Sequence, residues 1–139
     1  MFKTPGEELN LVTKLHKATS RDYLARMNDN KVEAMKIAKE YAYQYWDGDR
    51  RYGYGGHRYI EGRWKPVAEQ LIERYGLNNE SKVLDIGCGK GYLMFEIQKL
   101  LPGISLTGLD YSDYAIRNSH PDLKAKLIQS DAREPLHFR

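Results

Sequence analysis

Only one cysteine, Cys88, stands in the 139 residues. That excludes an internal disulfide and leaves no cysteine-rich zinc pattern, so no metal site is expected. No apolar run approaches the roughly 20 residues of a membrane-spanning helix. The opening stretch, MFKTPGEELNLV, lacks the basic-then-apolar order of a signal peptide. A block of one charge is missing as well. The net charge is +3, and residues 1–80 carry 14 basic and 12 acidic side chains against 8 and 7 in residues 81–139. Nucleic-acid sites concentrate their Lys and Arg, so this dispersed excess makes a nucleic-acid partner unlikely. A cytoplasmic globular protein with no membrane contact is the expectation.

What is present changes character near residue 78. Before it the pattern is helical. Thr4 stands three residues before Glu7, with Pro5 between them, which resembles a capping box. The spacing predicts a helix over residues 7–18 burying Leu11, Val12 and Leu15. A second is predicted from Asn30, as cap, to about Gly48, with Ala34, Ile37, Ala38, Tyr41 and Tyr45 at intervals of three and four. Residues 46–64, WDGDRRYGYGGHRYIEGRW, hold five glycines and four arginines and read as a long loop. Six of the eleven tyrosines lie between Tyr41 and Tyr59. A further helix is predicted over residues 65–75, with Pro66 in its first turn, Ala68, Leu71, Ile72 and Tyr75 as its buried stripe, and Gly76 just past its end.

After LNNES the order becomes strand, helix, strand. Strands are predicted at residues 83–86, 105–109 and 125–129, with helices at 92–101 and 113–119. Strands alternating with helices of this length imply a parallel sheet with right-handed crossovers. The fold class is therefore α/β, a Rossmann-like sheet preceded by a helical segment. Residues 1–78 form that segment, with its tyrosine- and glycine-rich lid, and residues 79–139 form the N-terminal half of a nucleotide-binding domain.

The stretch KVLDIGCGKGYL, residues 82–93, asks for a ligand. Asp85 puts an acid in an apolar strand, and Gly87, Gly89 and Gly91 follow it. Glycines let backbone approach a ligand, and the helix start offers free N–H groups. The spacing is one residue shorter than the G-x-G-x-x-G of dinucleotide sites, and no G-K-[ST] exists for a Walker loop. An acid two residues before the first glycine suits a cationic ligand better than a pyrophosphate.

VLDIGCGKGYL resembles the first motif of class I S-adenosylmethionine-dependent methyltransferases. Asp110, 19 residues after Gly91 in LTGLDYS, and Asp131, in LIQSDA, fall where that family has its later landmarks. The resemblance covers residues 81–132. It implies S-adenosyl-L-methionine as cofactor, with the backbone of Gly87 and Gly89, and the loop residues Cys88 and Gly91, around the methionine part. Asp85 would lie near its ammonium. Asp110 would accept from the ribose hydroxyls, Tyr111 would lie against the adenine face, and Asp131 and the Ala132 N–H would meet the adenine edge. Taken one at a time, Asp110 could equally be a capping residue, Asp131 an exposed loop acid, and Cys88 a small space-filler.

The implied activity is methyl transfer to a small polar acceptor, anionic or saccharide-like; a non-catalytic cofactor-binding or regulatory module is the alternative. In this family segments before the first strand often roof the acceptor pocket. His57 is the candidate general base by chemistry, with Tyr52 and Tyr54 to position an acceptor, although a histidine among glycines can simply be solvated. Arg50, Arg51, Arg58 and Arg63 either meet an anionic substrate or pair with Asp47, Asp49 and Glu61. The family's sheet has seven strands and only three are legible here. A missing C-terminal half, a separate chain or a homo-oligomer is expected to complete it.

Overall fold

A computed structural model describes residues 6, 9–17, 22–28 and 30–136. The Thr4–Pro5–Glu7 capping box falls outside them. The described elements are α1 (Thr13–Lys17), α2 (Tyr23–Asn28), α3 (Lys31–Ala38), α4 (Tyr43–Trp46), α5 (Lys65–Tyr75), β1 (Lys82–Ile86), α6 (Tyr92–Leu100), β2 (Ser105–Asp110), α7 (Asp113–Arg117) and β3 (Lys126–Gln129).

The three strands run parallel in the order β1-β2-β3, with Asp85 opposite Gly108 and Asp110 opposite Gln129. This is the expected α/β, Rossmann-like arrangement behind a helical N-terminal segment. Helix α6 connects β1 to β2 and packs against α5. Ala68, Met94, Ile97, Ile104 and Leu106 form the buried core, with Val83, Cys88, Leu71 and Leu127 against it. Gly108 is needed here on steric grounds. A Cβ on it would lie 2.6 Å from Met94 Cε and 2.7 Å from Cys88 Sγ, so a side chain would push helix from sheet. Among the described residues no strand pairs with the outer edge of β1, and its Leu84 and Ile86 are exposed.

Helix α5 follows the sequence closely: Pro66 sits in its first turn, and Gly76 ends it in the left-handed region at φ 60°. Its buried face is Val67 and Ala68, with Leu71 partly covered, whereas Tyr75 is exposed. Ala68, Leu71 and Ile72 of the expected stripe are thus buried or partly buried, Val67 joins them, and Tyr75 drops out.

The N-terminal helices depart further. α1 begins only at Thr13, and α2 is an additional helix, with Asp22 Oδ1 accepting from the Ala25 N–H at 3.0 Å. Asn30 precedes α3 but caps nothing with its side chain, because its own backbone is left-handed at φ 40°. The single helix expected from Asn30 to Gly48 is broken. Tyr41 takes φ 49° and divides α3 from α4. The cause is tertiary: the Tyr41 carbonyl turns away to accept from the Trp46 indole and the Ser112 hydroxyl.

Candidate functional site

The chain leaves β1 at Ile86 and bends sharply across the end of β2. The N–H groups of Gly87 and Cys88 both donate to the Leu109 carbonyl, at 2.8 and 2.9 Å. All three loop glycines are left-handed, at φ 83°, 55° and 75°. The Gly89 N–H then donates to Asp110 Oδ2 at 2.7 Å, and the Ser112 N–H to Oδ1 at 2.8 Å. The Asp110 carboxylate is thereby held between the glycine loop and the turn after β2. Each of its oxygens keeps a further lone pair for another donor.

Asp85, near the end of β1 and close enough to Asp110 to feel its charge, is half-buried. Its carboxyl is pushed above the ordinary carboxylate range, first by burial and then by the Asp110 charge. No hydrogen bond or ion pair satisfies it among the described residues. Beside it, the position a Gly87 Cβ would take has nothing within 4 Å. A raised, unpartnered acid next to bare backbone is a place for a cation.

The N-terminal segment is fastened onto this loop. Trp46, 6% exposed, lies across Gly89, and its Nε1 donates to Ser112 Oγ at 2.9 Å and to the Tyr41 carbonyl at 3.1 Å. Ser112 in turn caps α7 by accepting from the Ala115 N–H. Asp47 gathers three elements: it accepts from Lys90 Nζ at 2.7 and 2.8 Å, from the Tyr114 hydroxyl at 2.7 Å and from the His57 N–H at 3.0 Å. Burial alone would raise the Asp47 carboxyl, but the bonds from Lys90, Tyr114 and His57 outweigh it and hold it low. Further along, the wholly buried Glu96 accepts from the Tyr59 hydroxyl at 2.6 Å and the Gly62 N–H at 3.2 Å, and pairs with Lys99 at 3.1 Å.

The family description "Methyltransferase domain" matches residues 77–132. That stretch, residues 77–132, is what resembles a methyltransferase domain. Over 67 residues the chain is 36% identical to the trans-aconitate 2-methyltransferase of Mycobacterium tuberculosis (strain ATCC 25177 / H37Ra), a match covering 48% of this chain and 23% of that protein. It is 30% identical over 56 residues to the malonyl-[acyl-carrier protein] O-methyltransferase of Bacillus anthracis, covering 37% and 21%. A solved structure of the plantazolicin methyltransferase BpumL in complex with SAH aligns at a TM-score of 0.46 and 26% identity, covering 77% of this chain and 45% of that one. The matched stretch is thus under a quarter of the length of those two sequence relatives.

Within residues 77–132, Asp85, Gly87, Gly89 and Asp110 lie close together. Cys88 packs against the core, and burial, with Asp85 and Asp110, pushes its thiol up to about 12, so it stays protonated near neutral pH. Gly91 is buried as the residue preceding α6. Tyr111 is half exposed, edge-on to Tyr41 at 5.9 Å. Asp131 is engaged by the Arg133 guanidinium at 3.0 Å and closer, which pulls its carboxyl down to about 2; Ala132 beside it is exposed.

Outside the matched residues, His57 is packed among the rings of Tyr54 at 4.4 Å, Tyr92 at 5.0 Å and Trp46 at 5.3 Å. Burial, and then the Lys90 charge, push its imidazole down to about 4. Tyr54 stacks on Trp46 at 5.3 Å. Tyr52 makes no ring contact with this group and instead has the Arg51 guanidinium 5.7 Å over its ring. Among the described residues, Asp49 of the loop pairs with Arg51, while Asp47 and Glu61 take Lys90 and Lys99. Among the described residues Arg58 and Arg63 form no ion pair. No cluster of metal-ligating side chains occurs among them, and no helix is long and apolar enough to cross a membrane.

Sequence reasoning missed Trp46, Asp47, Lys90, Ser112 and Glu96. Lys90 alone left a signal, a charge wedged between two glycines of a loop that otherwise covers a core.

Proposed function

We propose that the protein binds S-adenosylmethionine in the crevice framed by Asp85, Gly87 and Asp110, and transfers its methyl group to a small acceptor carrying a carboxylate. One observation carries the cofactor assignment. Asp85 is a half-buried acid with no partner of its own, facing a loop whose first glycine leaves backbone uncovered. A ligand with an ammonium group satisfies that acid, and a pyrophosphate would repel it.

Bound there, the cofactor supplies an electrophilic methyl on a sulfonium. Asp85 holds its ammonium side, Gly87 and Gly89 lie along its amino-acid chain, and Asp110 accepts from its ribose. Asp131, with Ala132, lies toward the base, where Arg133 competes for the same oxygens.

The acceptor assignment rests on two supports. Aconitate is a tricarboxylate and a malonyl group ends in a carboxylate, and both stand in the names of the matched relatives. On the protein side, Arg58 and Arg63 are exposed, without an acidic partner among the described residues, and near His57. An acceptor carboxylate arrives already ionised and needs no strong base. That agrees with a His57 imidazole too weakly basic to hold a proton at pH 7. We assign His57 and Tyr54 to orienting the acceptor and excluding water.

The test is calorimetric titration with S-adenosylhomocysteine and, separately, with a nicotinamide dinucleotide, followed by incubation of labelled S-adenosylmethionine with tricarboxylates and malonyl thioesters. Binding of the first ligand, no binding of the second, and label in a base-labile ester are expected. Absence of S-adenosylhomocysteine binding refutes the reading. Binding without transfer to any acceptor leaves a cofactor-sensing module.

A further inference from the structure

Tyr41 is the one tyrosine among the described residues with a left-handed backbone, at φ 49°. Two buried donors hold it there. The Trp46 indole donates to its carbonyl at 3.1 Å, and the Ser112 hydroxyl donates to the same oxygen. Trp46 and Ser112 are 6% and 2% exposed, whereas Tyr41, whose carbonyl they hold, is 40% exposed. Strain of this kind persists only where the surroundings over-determine it, and it clusters at ligand sites. A loop that needed only to cover the core would turn the ring inward.

The ring stands at a groove of about 550 Å³ lined by Tyr41, Tyr43, Tyr111, Tyr114, Arg117 and Gln129. That volume suits a small ligand. The groove begins one residue past Asp110, at the carboxyl ends of β2 and β3, where Gln129 Nε2 donates to the Tyr111 carbonyl at 3.2 Å. Tyr41 meets Tyr111 edge-on at 5.9 Å and Tyr45 edge-on at 5.0 Å. Tyr45 in turn is close enough to Asp110 to feel its charge. Two half-exposed tyrosines, one with its backbone held by buried donors, stand near Asp110, the acid assigned above to the ribose. A flat ring attached to that ribose falls against them.

We propose that Tyr41 is a specificity-determining residue of the cofactor site, its ring forming with Tyr111 the wall against which the adenine base packs. The inference rests on the S-adenosylmethionine reading above. It places a residue from the N-terminal segment, well outside the matched domain, in contact with the cofactor.

The experiment compares the wild-type protein with Tyr41→Phe, Tyr41→Gly and Tyr111→Ala by calorimetric titration with S-adenosylhomocysteine and with methylthioadenosine, which keeps the base and lacks the amino acid. Glycine accepts φ 49° without strain, so Tyr41→Gly should melt within about 2 °C of wild type. It should nonetheless lose about tenfold or more in affinity for both ligands, the usual effect of removing an aromatic face from a base. Tyr41→Phe, which keeps the face, should stay within about threefold. Tyr41→Gly combined with Tyr111→Ala should lose less than the product of the single losses, because the rings share one wall. Unchanged affinity of Tyr41→Gly in a wild type that binds S-adenosylhomocysteine overturns the inference and leaves the cofactor reading standing. So does a loss confined to S-adenosylhomocysteine, which would put the ring against the amino-acid half. A wild type that binds neither ligand overturns both.

Discussion

Trp46 covers Gly89 so closely that a Cβ on the glycine would lie 2.9 Å from the indole Cη2. The N-terminal segment and the glycine loop are therefore fitted to each other and not merely adjacent. Gly89 is also left-handed at φ 55°. Gly89→Ala should lower stability by about 2–3 kcal/mol, combining steric conflict with backbone strain. In Trp46→Ala the same change should cost only the backbone part, about 1 kcal/mol. Thermal melts of the four proteins form a double-mutant cycle. Equal costs in both backgrounds would mean that the indole does not rest on the loop.

Asp85 gives the opposite trade. Burial and the Asp110 charge raise its carboxyl, so its ionised form works against folding near neutral pH. Asp85→Asn should leave the melting temperature unchanged or slightly higher. Affinity for S-adenosylhomocysteine should fall by about 10- to 100-fold, the scale of a lost charge-assisted hydrogen bond. A stabilised variant with undiminished affinity would remove Asp85 from the site.

Asp47 and Lys90 form a pair with side chains 24% and 6% exposed. Asp47→Asn leaves the lysine charge in place without its counter-ion. Because Asp47 is partly open, the expected cost is about 2–3 kcal/mol, below the range for fully enclosed pairs. The Asp47 carboxyl is held low in the folded protein. The stability it contributes is therefore present above the ordinary carboxylate value near 4 and is lost as pH falls through the folded value. Denaturant titrations should show a shallower acid slope in Asp47→Asn below about pH 4.

His57 sets a second pH window. Its folded value, about 4, lies below the ordinary 6.5. Between those values the unfolded chain binds a proton that the folded one refuses. Stability is thus complete above 6.5 and declines as pH falls toward 4, by at most about 3 kcal/mol. His57→Phe should flatten that decline in melts taken from pH 7 to pH 4. His57→Ala should reduce methyl transfer by less than the hundredfold or more typical of a lost general base, with S-adenosylhomocysteine affinity nearly unchanged. A loss above about a thousandfold would restore His57 as a proton acceptor.

The strand-and-helix half could be read from the sequence because its rules are local. Strand alternation, three glycines and the acids at residues 85 and 110 each follow from their immediate neighbours, and β1, α6 and β2 end within a residue of expectation. The N-terminal half obeys long-range bonds. Helical spacing carries Ala34 through Tyr45 as one face, yet Ser112, 71 residues away, draws the Tyr41 carbonyl out of the helix. Asp47 looked like a partner for a nearby arginine, and only the fold brings Lys90 to it across 43 residues. No periodicity encodes such contacts.

Glu96 carries a mechanical consequence. Its bonds to Tyr59 and Gly62 anchor the far end of the tyrosine-rich stretch on α6, while Asp47 and Lys90 anchor the near end on the glycine loop. A ribbon moored at both piers cannot swing aside as a flap.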